Sequence, residues 1–123
     1  MAFAEPQFQL SEEDLDERTH VIAIAGEIHV STAPRFSVLL DSAIGRGKTA
    51  VVLDLSAVEF IDSTGLSVLL NGLRRVTRQR GHMSLVCTNP TVLRLFEITR
   101  LDATFDIHAS REEAIRAVRS AAG

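Results

Sequence analysis

An alternation of two kinds of segment most constrains what this chain can fold into. Short runs of apolar, largely β-branched residues alternate with longer segments in which apolar residues recur at helical spacing. This pattern is typical of α/β domains, in which helices carry the chain from one strand to the next. Residues 20–25, 50–55 and 83–87 are almost continuously apolar, as strands covered on both faces are, and we predict them to be the central strands.

Two further runs, residues 8–15 and 104–107, are more amphipathic and are predicted to be edge strands. Residues 11–14 also fit a capping box, so the alternative for this stretch is a short turn of helix. Strands that are joined by helices pair in parallel, whereas the close spacing of the first two strands favours a hairpin. The predicted fold class is therefore α/β, with a mixed, mostly parallel sheet of about five strands flanked by about four helices.

Four helices are predicted from the residues that cap them. The residues that open them are, in chain order, Ser31 or Thr32, the run Asp62-Ser63-Thr64, Asn89 with Pro90, and Ser110 with Glu113. Gly45 is predicted to end the first helix and Gly81 to follow the second, with Arg78 and Arg80 in the last turn of the second. The third helix is expected to end at about Ile98.

Composition excludes several classes of protein. The 123 residues are 46% apolar and 24% charged, so we expect residues 1–123 to form one domain that folds alone. A formal net charge of −3 lacks the basic surplus of a general nucleic-acid binder. The single cysteine, Cys87, allows no internal disulfide, and no apolar run approaches the ~18 residues of a membrane helix. We therefore expect a cytoplasmic protein that neither binds nucleic acid nor inserts into a membrane.

Two patterns suggest other chemistry and fail on inspection. The run Gly45-Arg-Gly-Lys-Thr49 resembles a phosphate loop, but it leads from a helix into a strand and has Ser42 where the first glycine belongs. It is interpreted as a helix end followed by a solvated loop. The four histidines have neither the spacing nor the thiolate partners of a metal site, and we interpret them as surface or edge residues. No metal and no cofactor are predicted.

The polar run Asp62-Ser63-Thr64-Gly65 falls where a strand is predicted to end and a helix to begin. Free backbone N–H groups collect at such a point, and they favour either a capping side chain or a bound phosphate. Ser63 therefore has two interpretations at this stage. It is a helix-capping serine, or it is a residue that carries an esterified phosphate.

Five runs spread along the chain form a pattern together: Gly26-Glu27-Ile28, Thr32-Ala33, residues 52–55, residues 60–66, and Arg94-Leu-Phe96 before Leu101. This pattern resembles the STAS domains that act as anti-sigma factor antagonists. Its most specific part is the Asp-Ser-Thr-Gly-Leu run, which follows an apolar strand and precedes a leucine-rich helix. The resemblance covers nearly the whole chain.

The resemblance implies a function and its site. Ser63 would be phosphorylated by an ATP-dependent serine kinase that is also the anti-sigma factor, and a phosphatase would reset it. The unmodified protein would bind this kinase and free a sigma factor, as a monomer or weak dimer without catalytic activity of its own. The resemblance assigns the surroundings of the phosphoserine and the contact with the partner to Glu27, His29, Thr32, Asp62, Thr64, Gly65 and Leu66.

His29 departs from the family pattern, in which an acid commonly follows Gly-Glu-Leu. This departure bears on the efficiency of phosphorylation rather than on the fold, and two alternatives stay open. The chain is a non-switching docking or scaffold subunit of a signalling or transport complex. Alternatively it is a serine hydrolase with Ser63 as nucleophile and His29 as base, although the segment is not a G-x-S-x-G elbow.

Overall fold

The computed structural model describes residues 8–122, and the predictions that concern residues 1–7 and Gly123 lie outside this range. Five strands form one sheet in chain order: β1 (Gln9–Asp14), β2 (Thr19–Ile28), β3 (Ala50–Ile61), β4 (His82–Val86) and β5 (Asp106–His108). Strand β1 is antiparallel to β2, and the other neighbours are parallel. The predicted mixed sheet, with three central and two edge strands, is confirmed.

Within residues 8–122 the chain also forms four helices and one 3-10 turn: α1 (Ala33–Gly45), α2 (Ser63–Arg78), α3 (Pro90–Ile98), the turn Leu101–Ala103, and α4 (Arg111–Ala122), which follows the last strand. Helices α1, α2 and α3 share one apolar core with one face of the sheet, in which Phe36, Leu69 and Phe96 are completely buried. Helix α4 packs Ala114 and Val118 against a smaller cluster on the other face. Both faces of the central strands are thus covered, as their continuous apolar character predicts.

Strands β2 and β3 are both longer than predicted. Strand β3 continues for six residues beyond Leu55, and its residues 55, 58 and 61 are buried instead of alternate ones. The pairing of β2 with β3 shifts register twice, between Ala23 and Ala25 and again between Gly26 and Glu27. Such irregularities break the alternation of apolar and polar residues by which a strand is recognised in a sequence.

Several local predictions are corrected by the structure. Residues 11–14 belong to strand β1 and form no helical turn. Strand β5 begins at Asp106 and not at 104, because the preceding 3-10 turn draws the Thr104 N–H to the Leu101 carbonyl. Helix α2 ends at Arg78, and Arg80 lies beyond it in the left-handed region with φ 61°.

His20 and Lys48 are not the solvated residues that the sequence suggests. His20 is only 1% exposed, because edge strand β1 lies across it. Its Nε2 atom is 2.8 Å from a Glu12 carboxylate oxygen, and its Nδ1 atom contacts the Asp14 carboxylate. Lys48 is buried beside them, 3.2 Å from Asp14, so these contacts fasten β1 to the loop after α1.

Asp54 holds the irregular part of β3 in place. One carboxylate oxygen accepts hydrogen bonds from the backbone N–H and the hydroxyl of Ser56, at 3.0 and 2.6 Å. The other accepts from the Nε–H of Arg111, the first residue of α4, at 2.9 Å. Burial acts to raise the pKa of Asp54, but the hydrogen bonds from Ser56 and Arg111 outweigh it and hold the pKa below its usual value.

We predict that Asp54→Asn lowers the free energy of unfolding at pH 7 by about 1.5–3 kcal/mol, as is typical for hydrogen bonds to a charged group. Because folding lowers the pKa of Asp54, this stabilisation is present well above the ordinary value of 3.8 and is lost as the pH falls through the lower value of the folded state. Urea unfolding at pH 7 and pH 3 measures both effects. Asp102→Asn, at an exposed residue, is the control, and an equal loss in both variants would contradict the assignment.

Candidate functional site

The site lies where the parallel strands β2 and β3 end side by side. Ile28 pairs with Ile61, and the N–H of the next residue, Asp62, donates to the Ile28 carbonyl at 3.0 Å. The loop that follows β2 and the start of α2 therefore adjoin, although about thirty residues separate them in the chain. All seven residues that the resemblance assigns to the surroundings of Ser63 lie on these two segments or on the last residues of β2.

Asp62 caps helix α2. Its backbone is extended, its side chain accepts the Gly65 N–H at 3.0 Å, and its carbonyl accepts the Leu66 N–H. Ser63 is thus the first residue of the helix, and the interpretation of Ser63 as the capping serine is wrong. The cap must come from the residue that precedes the helical backbone, and that residue is Asp62.

The Ser63 hydroxyl is exposed and makes no hydrogen bond within residues 8–122. The Ser63 carbonyl, by contrast, accepts from the Ser67 hydroxyl at 3.0 Å. Thr64, whose hydroxyl lies next to Ser63 in the sequence, is half-buried. The first turn of α2 therefore presents the Ser63 hydroxyl to solvent, while the backbone of Ser63 is held by a hydrogen bond.

Gly65 and Leu66 seat this turn on the ends of the strands. A Cβ atom at Gly65 would lie 2.6 Å from Cγ1 of Ile61 and 2.7 Å from Cγ2 of Ile28, closer than carbon atoms can pack. Glycine is therefore required for the close approach of helix and strands. Leu66 is buried in the main core together with Ile28 and Ile61 and anchors the same turn.

The loop after β2 is held by its own hydrogen bonds. The Thr32 hydroxyl donates to the Glu27 carbonyl at 2.7 Å and accepts the His29 N–H at 3.0 Å. Thr32 stands at the start of α1, but its hydroxyl bonds this loop and does not cap the helix. The half-buried His29 accepts the Ser31 N–H on Nδ1 at 3.1 Å.

His29 and Ser63 lie on adjoining segments, yet no hydrogen bond joins their side chains in the described part of the chain. One ring nitrogen of His29 is already engaged by Ser31. The base–nucleophile contact that a hydrolase needs is therefore not formed. Within residues 8–122 there is also no group of three or more His, Cys, Asp or Glu residues placed to hold a metal ion.

An apolar groove at the end of β3 was not foreseen from the sequence. It lies between the end of β3 and helix α3 and is lined by Phe60, Ile61, Thr91, Val92, Leu95 and Ile98, with Arg94 at its rim. Phe60 is 45% exposed and Ile98 is 68% exposed. The one sequence signal for it is Ile98, an apolar residue that ends α3 beyond the buried Phe96.

We predict that Asp62→Ala lowers the free energy of unfolding by about 1 kcal/mol, because it removes the cap of α2. Ser63→Ala removes no intramolecular hydrogen bond and should change that free energy by less than about 0.5 kcal/mol. Urea unfolding of both variants beside wild type is the measurement. Equal losses from the two substitutions would show that Ser63 shares the capping role.

None of the helices in residues 8–122 is long and apolar enough to cross a membrane.

The STAS domain family model matches residues 13–114. Anti-sigma-F factor antagonist RsfB of Mycobacterium tuberculosis is 31% identical over 99 residues, which cover 80% of each chain. The solved anti-sigma factor antagonist of Mycobacterium paratuberculosis superposes with a TM-score of 0.83 at 32% identity, covering 92% of this chain and 95% of the other.

SpoIIAA of Bacillus is a further structural relative, and it has been solved in two states. The unphosphorylated form matches with a TM-score of 0.77 at 29% identity, covering 93% of this chain and 97% of SpoIIAA. The phosphorylated form matches with a TM-score of 0.70 at 28% identity, covering 92% and 100%. The relatives named here are thus anti-sigma factor antagonists, and the chain belongs to the STAS domain family.

Proposed function

We propose that this chain is an anti-sigma factor antagonist, which binds an anti-sigma factor serine kinase when unmodified and is released when Ser63 is phosphorylated. The observation that carries the proposal is the exposed Ser63 hydroxyl, free of intramolecular hydrogen bonds, on the first turn of a capped helix. SpoIIAA, which shares the fold, exists in a phosphorylated form. Residues 1–123 act as one cytoplasmic domain without catalysis or a cofactor of its own, and a phosphatase resets Ser63.

The phosphorylation step needs only an accessible hydroxyl from this chain. The Ser63 Oγ attacks the γ-phosphorus of ATP, the new O–P bond forms as the bond to the β-phosphate oxygen breaks, and ADP leaves. The hydroxyl proton passes to a base of the kinase. Asp62, Gly65 and Thr32 hold the first turn of α2 and the adjoining loop in place, so the Ser63 residue is already oriented and the kinase has to order little of its substrate.

The phosphate itself changes the energy of the domain little. It adds about −1.5 to −2 charges at a helix N-terminus, where an exposed anion gains about 0.3–1 kcal/mol. The Asp62 carboxylate already accepts the Gly65 N–H and repels the phosphate, which offsets this gain. Phosphorylation is therefore nearly neutral for folding.

An interface formed around a neutral hydroxyl responds much more strongly. Binding of the phosphorylated form has to strip water from the phosphate and bring it close to partner carboxylates. One like-charge contact at ~4 Å costs about 4 kcal/mol at an effective dielectric of about 20, and each ~1.4 kcal/mol is a tenfold change in affinity. A switch of roughly a thousandfold thus requires no change in conformation.

We predict that Ser63→Ala binds the kinase as tightly as wild type and is never released by ATP, whereas Ser63→Glu binds at least tenfold more weakly. Both variants should melt within a few degrees of wild type, because Ser63 stabilises nothing inside the domain. The kinase is obtained by retention on the immobilised protein from a lysate of its own cells, identification by mass spectrometry, and purification. Calorimetric titration then gives the affinities.

Peptide mapping after incubation with this kinase and ATP should place the phosphate on Ser63. Phosphate on Thr64 or Ser67 alone would overturn the assignment. Tight binding of Ser63→Glu, or a loss of affinity explained by its unfolding, would overturn the mechanism. Retention of a transporter or a scaffold protein and no kinase would favour the non-switching docking role.

We predict that His29→Asp changes the rate of Ser63 phosphorylation without destabilising the domain. An aspartate can accept the Ser31 N–H as the His29 ring does, so the loop keeps its hydrogen bond. The free energy of unfolding should shift by less than about 0.5 kcal/mol. The initial rate of phosphate incorporation, measured beside urea unfolding, tests this, and an unaltered rate would show that the departure at His29 is neutral.

A further inference from the structure

The apolar groove exists because β4 is shorter than β3. Strand β4 pairs with β3 only as far as Asp54, so the last residues of β3 have no strand on that side. Helix α3 lies there instead and is fastened by the Asn89 side chain, which donates to the Val58 carbonyl at 3.3 Å. The space left between helix and strand is the groove, with a volume of about 200 Å³. An apolar cavity of about 150 Å³ holds a benzene ring, so the groove has room for one large side chain.

The groove combines exposed apolar side chains with an unpaired charge. Phe60 and Ile98 form its walls and are largely open to solvent. Arg94 at its rim is exposed and forms no ion pair within residues 8–122. Aromatic residues and Arg are enriched in protein interfaces relative to the rest of the surface.

Its position ties the groove to the phosphorylation site. Phe60 is three residues from Ser63, so their Cα atoms are at most about 11 Å apart. A stable interface covers about 800 Å² of each partner, which is a patch with a radius of about 16 Å. A kinase that brings ATP to the Ser63 hydroxyl in a stable complex is therefore large enough to reach Phe60 as well.

We propose that the apolar groove is a docking site for the anti-sigma factor kinase, which inserts an apolar side chain between Phe60 and Ile98 and pairs a carboxylate with Arg94. This proposal rests on the proposed function, because it assigns a second contact to the same partner. The groove supplies affinity and orientation, and Ser63 supplies the switch. Weakening the groove should therefore impair docking and leave the transfer of phosphate intact.

Ile98→Ser tests the apolar contact, with Val38→Ser as its matched control. Val38 is an aliphatic residue on α1 with 66% exposure against 68% for Ile98, and it lies outside the groove. Ile98→Ser should raise the Kd for the purified kinase at least tenfold, and Val38→Ser should change it less than twofold. Thermal melts confirm that both variants are folded.

Arg94→Glu tests the charged contact, with Arg116→Glu on the exposed face of α4 as control. Arg94→Glu should raise the Kd at least tenfold and make binding weaken less as salt is added, because it removes an attraction that salt screens. In steady-state phosphorylation of Ser63, both groove variants should raise KM at least tenfold with kcat within twofold of wild type. A disturbed presentation of Ser63 would instead lower kcat.

The outcomes separate the two proposals. Wild-type binding and phosphorylation together with unchanged Kd and KM in Ile98→Ser and Arg94→Glu would overturn the groove proposal and leave the proposed function standing. Failure of wild type to bind a kinase or to accept phosphate on Ser63 would overturn both. If sedimentation shows that Ile98→Ser dissociates a dimer while kinase binding is unchanged, the groove is a contact between two copies and the proposal is wrong.

Discussion

The parallel pairing of β2 with β3 is the interaction on which the rest of the site depends. Because parallel strands finish at the same edge of a sheet, the pair Ile28–Ile61 places two distant loops side by side. The hydrogen bond from Asp62 to Ile28 carries this pairing one residue beyond the strand and into the first turn of α2. A side chain at position 65 would collide with Ile28 and Ile61, so the glycine lets this turn of α2 pack directly on the same pair.

The hydrogen bonds around the site engage the side chains of its loops and leave the Ser63 hydroxyl free. The side chains of Asp62, Thr32 and His29 each bond a neighbouring backbone group, so each helps to hold a loop. The Ser63 hydroxyl holds nothing and faces solvent. A chemical change at Ser63 therefore acts on whatever meets the surface, whereas loss of the Asp62 or Thr32 side chain acts first on the fold. This division fits the proposed phosphorylation of Ser63 in the folded protein.

The sequence predicted the elements better than it predicted their ends. Continuous apolar runs identified the central strands because burial on both faces overrides alternation. The last six residues of β3 were not predicted as strand, because two register shifts replace the alternation of buried and exposed positions with a three-residue spacing. Asp62, Ser63 and Thr64 are all good capping residues, so only the backbone could decide among them. The burial of His20 depends on where β1 packs, and the apolar groove depends on where α3 packs. Tertiary packing of this kind leaves little pattern in the local sequence.

Separate surfaces for affinity and for switching make a reversible regulator easier to build. An apolar contact is little affected by charge or salt, so a groove beside the serine can set how tightly the unmodified protein binds. A phosphate acts through charge and water, and its effect is confined to a Debye length of about 8 Å at physiological salt. For release, the repulsion from the phosphate has to exceed the binding free energy that the groove contributes. Burial of one apolar side chain contributes about 1.5–3 kcal/mol, and one like-charge contact costs about 4 kcal/mol. A much larger apolar patch would hold the phosphorylated protein as well, so the small size of this groove is consistent with a partner that must let go.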